Sequence, residues 1–183
     1  VAISLSNIEI LELFIKYKAN LNVMDSNGYY PIHRAALNNK TEIVKFLLDK
    51  GVDINLQAMN GETPLMVACK SSGSDTFKYL LENGADIKIK EQNGLTVLFT
   101  AISHFNTEAV RRLYAVGVDI NDDDNKFGEN PLTFSLIYHC TPEIIDELLV
   151  GGADVNKKNK KGSPPIILCD KPEILKIFLV NLK

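Results

Sequence analysis

Apolar and polar positions along this chain repeat with a period of 33 to 34 residues. Asn-Gly occurs at Asn27-Gly28, at Asn60-Gly61 and again at Asn93-Gly94. Two glycine series run in phase, Gly28, Gly61, Gly94, Gly128 and Gly162 in one and Gly51, Gly84, Gly117 and Gly152 in the other. A pattern that repeats at such a period predicts stacked copies of one supersecondary unit.

The stretch 60–92 shows one period in its clearest form. Asn60-Gly61 favours a tight turn with positive φ, and the polar residues around it suit a short hairpin. Pro64 suits the first position of a helix, because proline has a preset φ and no N–H that would be left unpaired there. The small and apolar segment MVAC follows, so a neighbouring unit can approach closely. We call this predicted first helix of a repeat helix A.

A second helix, helix B, is predicted after the polar break SSGS. Ser74 can accept a hydrogen bond from its first turn, and Gly84 stands where the end of a helix favours a left-handed residue. Its apolar stripe is Phe77, Leu80 and Leu81. Capping residues of the same kind in other repeats are Asn7, Thr41 and Thr141. So short a unit cannot bury its stripe alone, so the pattern predicts stacking. The leucines predicted to lie between stacked units are Leu47, Leu81 and Leu148.

These segments resemble the ankyrin repeat. Its first motif, a turn glycine followed by Thr-Pro-Leu-His-x-Ala-Ala, is matched by 61–68 (GETPLMVA) and by 28–36 (GYYPIHRAA). Its second motif, Leu-Leu-x-x-Gly-Ala-Asp-Val-Asn, is matched by 47–55 (LLDKGVDIN), by 81–87 and by 148–156. The resemblance covers essentially the whole chain. It implies an all-α repeat solenoid in which helix-turn-helix pairs are joined by short β-hairpin loops.

The register predicts a single ankyrin repeat domain over residues 1–183. A partial repeat is expected first, because Val1 begins partway along a helix A. The terminal repeat is expected to be a compact cap, and the alternative is that a continuation covers it. The predicted repeats are 1–24, 25–59, 60–92, 93–125, 126–161 and 162–183.

Departures from the motif concern individual repeats. Lys18 stands where the first repeat should have glycine, and Val97 replaces the motif proline in the fourth repeat. Arg112 occupies a position at which Tyr79 is aromatic, so the fourth repeat is predicted to be the least stable. The motif histidine survives at His33 alone. The resemblance implies that His33 is structural and ties a hairpin to a helix by hydrogen bonds.

Composition and charge limit the classes of function. The formal net charge of -3 argues against a nucleic-acid partner, which needs a basic face. No apolar run approaches the roughly 18 residues of a membrane span, so no direct membrane insertion is expected. The cysteines Cys69, Cys140 and Cys169 lack C-x-x-C spacing and indicate buried thiols in a reducing compartment. The expected location is intracellular, in the cytoplasm or, for an effector, in the cytosol of a host cell.

Metal-binding and catalytic patterns are weak. The acidic run 122–124 fits no EF-hand register, because position six would be Phe127 rather than glycine. His104 and His139 fall in equivalent turns of adjacent repeats, but no cysteine or carboxylate stands at ligand spacing, so no metal is expected. No catalytic residue, cofactor or enzymatic activity is predicted.

Two oppositely charged segments lie about one repeat apart. Asp122 to Asp124 and Glu129 form an acidic patch, and the lysines within 157–161 form a basic one. The favoured interpretation is that these are solvated loop charges. The alternative is that the opposite patches orient a partner during association.

The resemblance also implies a binding surface. Hairpin tips and the exposed sides of the A helices, which line a concave face, bind other proteins in this family. Aromatic, Met and Leu side chains at such positions can anchor a partner. The alternative for each residue is that it packs against the next hairpin. The predicted partner-binding residues are Asn27, Tyr29, Met59, Glu62, Lys70, Leu95, His104, Phe127, Glu129 and Tyr138.

Two functions from different classes remain open. The preferred one is a protein–protein interaction module without chemistry of its own. The other is the substrate-recruiting or regulatory ankyrin domain of a larger enzyme or of a secreted, host-directed effector. The resemblance adds a third possibility, since Asn55, Asn121 and Asn156 occupy the position that asparaginyl hydroxylases modify in ankyrin proteins.

Overall fold

The structure is a computed structural model that describes residues 16–17 and 20–181. The predicted features at Asn7 and Lys18 lie outside the described residues. The chain divides into two compact units, Val1–Gln92 and Asn93–Lys183. This division falls at the predicted limit between the third and fourth repeats. All of the predicted repeat boundaries and the single domain stay predictions.

The described part of the first unit consists of two helix pairs. Its helices are α1 (Pro31–Leu37), α2 (Thr41–Asp49), α3 (Pro64–Cys69) and α4 (Asp75–Glu82). Helix α1 packs against α3, and α2 packs against α4. Each helix A therefore stacks on a helix A, and each helix B on a helix B, as a repeat fold requires.

The second unit, described by itself, has the same kind of arrangement in three helix pairs. Its helices are α5 (Val97–Ser103), α6 (Thr107–Ala115), α7 (Pro131–Ile137), α8 (Pro142–Val150), α9 (Pro165–Leu168) and α10 (Pro172–Asn181). Helix α7 packs between α5 and α9, and α8 packs between α6 and α10. Thr141 is the N-cap residue of α8, as predicted, although its side chain makes no capping bond.

Helix starts agree with the predicted capping in part. Ser74 is the N-cap of α4, and its hydroxyl accepts a hydrogen bond of 3.1 Å from the Phe77 N–H. The predicted cap at Thr41 is wrong, because α2 begins at Thr41 itself and Lys40 is the N-cap. The Thr41 hydroxyl instead makes a hydrogen bond of 2.9 Å with the hydroxyl of Thr76 in the following repeat.

The loops between repeats are tight turns, which we call fingers, and no β-strand forms within 20–181. In one finger the Ala58 N–H donates to the Glu62 carbonyl at 2.9 Å, and the Gly61 N–H donates to the Ala58 carbonyl at 2.9 Å. Neighbouring fingers are joined by single backbone bonds, such as that from the Gln92 N–H to the Asn60 carbonyl at 3.1 Å. The predicted hairpins are thus reduced to their turns.

One leucine in each of the B helices α2, α4, α6 and α8 fills the interface between repeats. These leucines are Leu47, Leu80, Leu113 and Leu148, all without solvent exposure. Leu81 is only partly buried, so its predicted position between stacked units is wrong. The reason is register, because Leu80 rather than Leu81 stands 33 residues after Leu47.

Cys69, Cys140 and Cys169, all of them described by the structure, form no disulfide bond. Cys69 and Cys140 are buried, and burial raises the pKa of both thiols, that of Cys140 to about 11. Cys169 is partly exposed, so the prediction of a buried thiol is wrong at this position. The reason is that helix α9 ends at Leu168, so Cys169 is the C-cap residue after the helix and does not lie on its buried side.

Candidate functional site

Helices α5 and α7 of the second unit expose only their C-terminal ends and the turns that follow. In α5 and α7 every residue before the last is buried, whereas Ser103 and Ile137 are exposed. The next residues, His104 and Tyr138, are exposed as well. The predicted surface therefore lies at these ends and on the fingers, and not along the length of helix A.

In the first unit, three predicted residues meet around the carboxylate of Glu62. The Tyr29 hydroxyl and the Asn60 amide each donate to Oε2 of Glu62 at 2.8 Å. Lys70 Nζ lies 2.7 Å from Oε1 and 3.0 Å from Oε2. We call Tyr29, Asn60, Glu62 and Lys70 the Glu62 cluster. It joins two adjacent fingers to the end of α3.

The Glu62 cluster is held together by charge. Burial alone would raise the pKa of Glu62, but the hydrogen bonds from Lys70, Asn60 and Tyr29 outweigh burial and lower it. Burial would likewise lower the pKa of Lys70, and the Glu62 carboxylate raises it instead. Burial and the same carboxylate raise the pKa of the Tyr29 hydroxyl. Glu62 and Lys70 are therefore a charged pair at neutral pH, and Tyr29 is a neutral donor.

The Tyr29 ring is fixed by its neighbours. It stacks on the His33 ring with 5.7 Å between centroids, and the Arg34 guanidinium lies 5.2 Å from its centroid. Arg34 in turn forms an ion pair with Asp25, whose pKa this hydrogen bond lowers to about 2. Buried His33 donates from Nε2 to the Glu62 carbonyl at 3.0 Å. His33 therefore ties α1 to the next finger.

Among the predicted partner-binding residues of the first unit, Met59 and Asn27 are exposed. Met59 is 68% exposed and lies across Gly28, where an added Cβ would stand 2.4 Å from its own Cβ. Its backbone N–H donates to the Gly28 carbonyl at 2.9 Å. The glycine thus lets Met59 lie against the neighbouring finger while most of the residue remains exposed.

In the second unit, Tyr138 is a predicted site residue whose aromatic ring is held in place by packing on buried aromatic rings. Its ring packs on Phe134 with 4.3 Å between centroids, and Phe134 meets Phe99 edge to face at 5.2 Å. Both phenylalanines are buried, whereas Tyr138 is 50% exposed. Phe127 is exposed on its finger, and Leu95 is half-buried.

Glu129 does not occupy the exposed position predicted for it. It is 2% exposed, accepts a hydrogen bond of 2.8 Å from the Asn159 amide and lies 3.3 Å from Lys161 Nζ. It occupies the same position in the repeat motif as Glu62, but its partners come from the following repeat. Glu129 therefore joins two fingers and is withdrawn from contact with a partner.

The two charged segments of the second unit pair with each other. Lys157 Nζ lies 3.3 Å from an Asp123 carboxylate oxygen, and Lys160 Nζ lies 3.7 Å from one of Asp124. These side chains remain partly or largely exposed, so the favoured interpretation, solvated loop charges, and the alternative, patches that orient a partner, both stay predictions. The ion pairs link adjacent fingers.

Phe105 is an exposed aromatic residue that the sequence analysis did not single out. It has a φ of +54° in the turn after α5, where the equivalent Asn39 of the first unit has +51°. A bulky residue rarely adopts this conformation, whereas asparagine does so readily. The signal in the sequence was a phenylalanine at a turn position that holds Asn39 in the first unit and His139 in the next repeat.

The histidines of the turns form no metal site. His104 bonds to the Thr100 carbonyl at 3.0 Å, and His139 lies 3.5 Å from Asp170. Among the described residues no group of three or more His, Cys, Asp or Glu side chains is arranged to hold a metal ion. Likewise, no helix within the described residues is long and apolar enough to cross a membrane.

Comparisons with known proteins identify the family. The model for ankyrin repeats in three copies matches residues 1–91 and 73–159. The chain therefore belongs to the ankyrin repeat family, and the predicted all-α ankyrin fold is confirmed. A search of curated proteins found no match.

Two solved structures show the extent of the similarity. A chain in the structure of the predatory endopeptidase Bd0816 from Bdellovibrio bacteriovorus in complex with immunity protein Bd3460 is 29% identical, with a TM-score of 0.77. The match covers 94% of this chain and 92% of that chain. The ankyrin repeat domain of Bcl-3, a member of the IkappaB protein family, is 23% identical with a TM-score of 0.85, covering 99% of this chain and 82% of that chain.

Proposed function

We propose that this chain is a protein–protein interaction module that binds a partner protein through its fingers and the turns after its A helices. The observation that carries the proposal is the contrast between Met59 and its surroundings. Met59 is exposed and is the chain neighbour of Asn60, whose side chain is held in the Glu62 cluster. Exposed Met and aromatic residues of this kind are enriched in protein interfaces.

The Glu62 cluster would reduce the entropic cost of binding. Tyr29 and Lys70 have their orientations set before a partner arrives, so less side-chain freedom is lost on association. Glu62 is then a positioning residue, since its carboxylate is mostly buried and it acts through Tyr29 and Lys70. Met59 supplies the adaptable apolar contact.

The second unit offers a comparable surface of its own. Tyr138 is supported from behind by Phe134 and presents its other side to solvent. Phe127 and Phe105 are further exposed aromatic residues in this unit. The similar Bdellovibrio bacteriovorus structure was solved as a complex of two proteins, which supports a protein as the partner.

An affinity capture from extract of the source cells, read by quantitative mass spectrometry, tests the proposal. We expect Met59→Ala and Tyr138→Ala each to lose more than about tenfold of at least one captured protein, as truncation of an interface anchor does. Val116→Ala is the matched control, because Val116 is an exposed apolar residue at the end of a helix B. Equal recovery by all three variants would refute the proposed surface.

A further inference from the structure

The last helix pair of the second unit exposes an apolar face that the proposed function does not use. Its members are Ile166 and Ile167 on α9 and Leu175, Leu179 and Val180 on α10, all of them exposed. We call these five residues the open face. Isolated exposed aliphatic residues are common, but five of them on two successive short helices indicate an interaction site.

Register shows what kind of face this is. Pro131 of α7 corresponds to Pro165 of α9, and Pro142 of α8 corresponds to Pro172 of α10. By this correspondence Ile166 and Ile167 match Leu132 and Thr133, and Leu175, Leu179 and Val180 match Ile145, Leu149 and Val150. The first four of these five positions on α7 and α8 are buried.

The difference in burial is large. Leu149 is 8% exposed and Leu179 is 66% exposed, while Thr133 is 0% and Ile167 is 73% exposed. The cause is that α9 packs on α7 and α10 packs on α8, whereas no described element packs on the far side of α9 and α10. The residue types have not changed to suit solvent. At the position of Thr133 the polar side chain has even been replaced by isoleucine.

This composition argues against the cap predicted for the terminal repeat. A capping repeat carries a polar outer face, because that face meets water. The side of α10 that packs inward, with Ile174 and Phe178 buried, is equivalent to Ile144 and Leu148 of α8. Helix α10 is therefore apolar on both of the sides that an inner helix B buries.

We propose that the open face is a stacking face that accepts the helix pair of a further ankyrin repeat joined through the chain after α10. The chemistry of the occupant is given by the neighbouring interface, where α9 and α10 present Pro165, Ile174 and Phe178 to the preceding repeat. Covalent linkage is the way in which every other repeat of this chain meets its neighbour, and it supplies a high effective concentration.

The test extends the chain with its own sequence. Residues 151–183 are repeated directly after Val180, which preserves register because Val180 is equivalent to Val150. The expected result is a rise in the midpoint of thermal unfolding on the order of 5 °C relative to the unmodified protein. Hydrogen exchange gives a second measurement, since amides of α10 should exchange at least about tenfold more slowly when covered.

The matched control is the double variant Ile167→Lys and Leu179→Lys, made in both chains at the original α9 and α10. Both side chains are mostly exposed in the unmodified protein, so its midpoint should change little. In the extended chain the same variant should remove the gain in midpoint and in protection. That pair of results would support the proposal.

Three results would overturn the proposal. The first is an extended chain with neither a higher midpoint nor slower exchange in α10. The second is a gain that survives the double lysine variant, since the added repeat would then act elsewhere. The third is a dimer of the unmodified protein in light scattering that the double variant dissociates, because the occupant would then be a second copy.

Discussion

Gly61 and Gly84 both have φ near +83°, but the surroundings of the two residues differ. A Cβ added to Gly84 would meet nothing within 4 Å. A Cβ added to Gly61 would stand 2.9 Å from the Gln92 backbone nitrogen in the next finger. Glycine is therefore required at position 84 only because of the positive φ. At position 61 it is also required because the backbone of the next finger approaches closely.

Alanine substitution separates these two requirements. We expect Gly84→Ala to lower the free energy of unfolding by about 1–2 kcal/mol, which is the cost of positive φ for a residue with a Cβ. Gly61→Ala should cost more, by at least about 1 kcal/mol, because the fingers must also move apart. Urea unfolding of both variants measures the difference. Equal losses would mean that the close approach of the fingers has no energetic weight.

His33 makes stability depend on pH near neutrality. Burial lowers its pKa below the ordinary value of 6.5, so the folded protein holds it neutral while the unfolded chain takes up a proton. Stability is therefore complete above about pH 7 and falls as the pH drops through 6.5 towards the lower folded pKa. Thermal midpoints between about pH 7.5 and 5.5 should decrease accordingly.

Substitution of His33 itself tests this assignment. His33→Gln keeps a donor for the Glu62 carbonyl but cannot titrate, so the slope should flatten by up to about 1.4 kcal/mol per pH unit. A slope unaffected by His33→Gln would assign the pH dependence to other groups.

At single residues, features that depend on one repeat alone could be predicted from the sequence. Contacts between side chains of two different repeats could not. The positive φ of Gly84 and the cap at Ser74 follow from local backbone chemistry and were predicted. The burial of Glu129 was missed, because Asn159 and Lys161 approach it from the next repeat. Phe105 was missed for a related reason, since its conformation is imposed by the turn against its own preference.

Helix B derives most of its stability from stacking on the neighbouring B helices. In α4 the leucine that lies in this interface is Leu80. Leu80 is wholly buried, whereas Leu81 beside it is partly exposed. Leu80→Ala should lower the free energy of unfolding by about 2–5 kcal/mol, because a cavity would remain between stacked helices. Leu81→Ala should cost less than half as much. Similar losses in urea unfolding would contradict the register assigned to α4.

The repeat period predicts some of the contacts between helices but not all of them. A period of 33 residues predicts that equivalent helices stack, but it contains no information on contacts that differ between repeats. Asn39 provides an example, since its side-chain Oδ1 accepts from the Ser74 hydroxyl and from the Thr76 N–H, both at 3.0 Å. The fourth repeat is another, because Arg111 forms an ion pair with Glu147 of the next repeat. That link supports a repeat predicted to be weak.

At the scale of the whole molecule, each repeat in such a fold contacts only the adjacent repeats, so the protein need not unfold in a single all-or-none step. Each unit has its own stacked interfaces and its own wholly buried leucines, so each can open at a free energy set by its own repeats. The two buried thiols stand one in each unit, Cys69 in the first and Cys140 in the second. They report the opening of each unit separately.

Thiol labelling against urea concentration therefore tests cooperativity. In a Cys169→Ser background, which removes the partly exposed thiol, brief labelling should modify Cys69 and Cys140 with different midpoints. Burial protects both thiols and raises their pKa values, so neither reacts until its unit opens. Mass spectrometry of the two cysteine peptides gives the midpoints. Coincident midpoints would require coupling between the units strong enough to make them unfold as one body, in spite of a repeat fold in which stability is a sum of neighbouring interfaces.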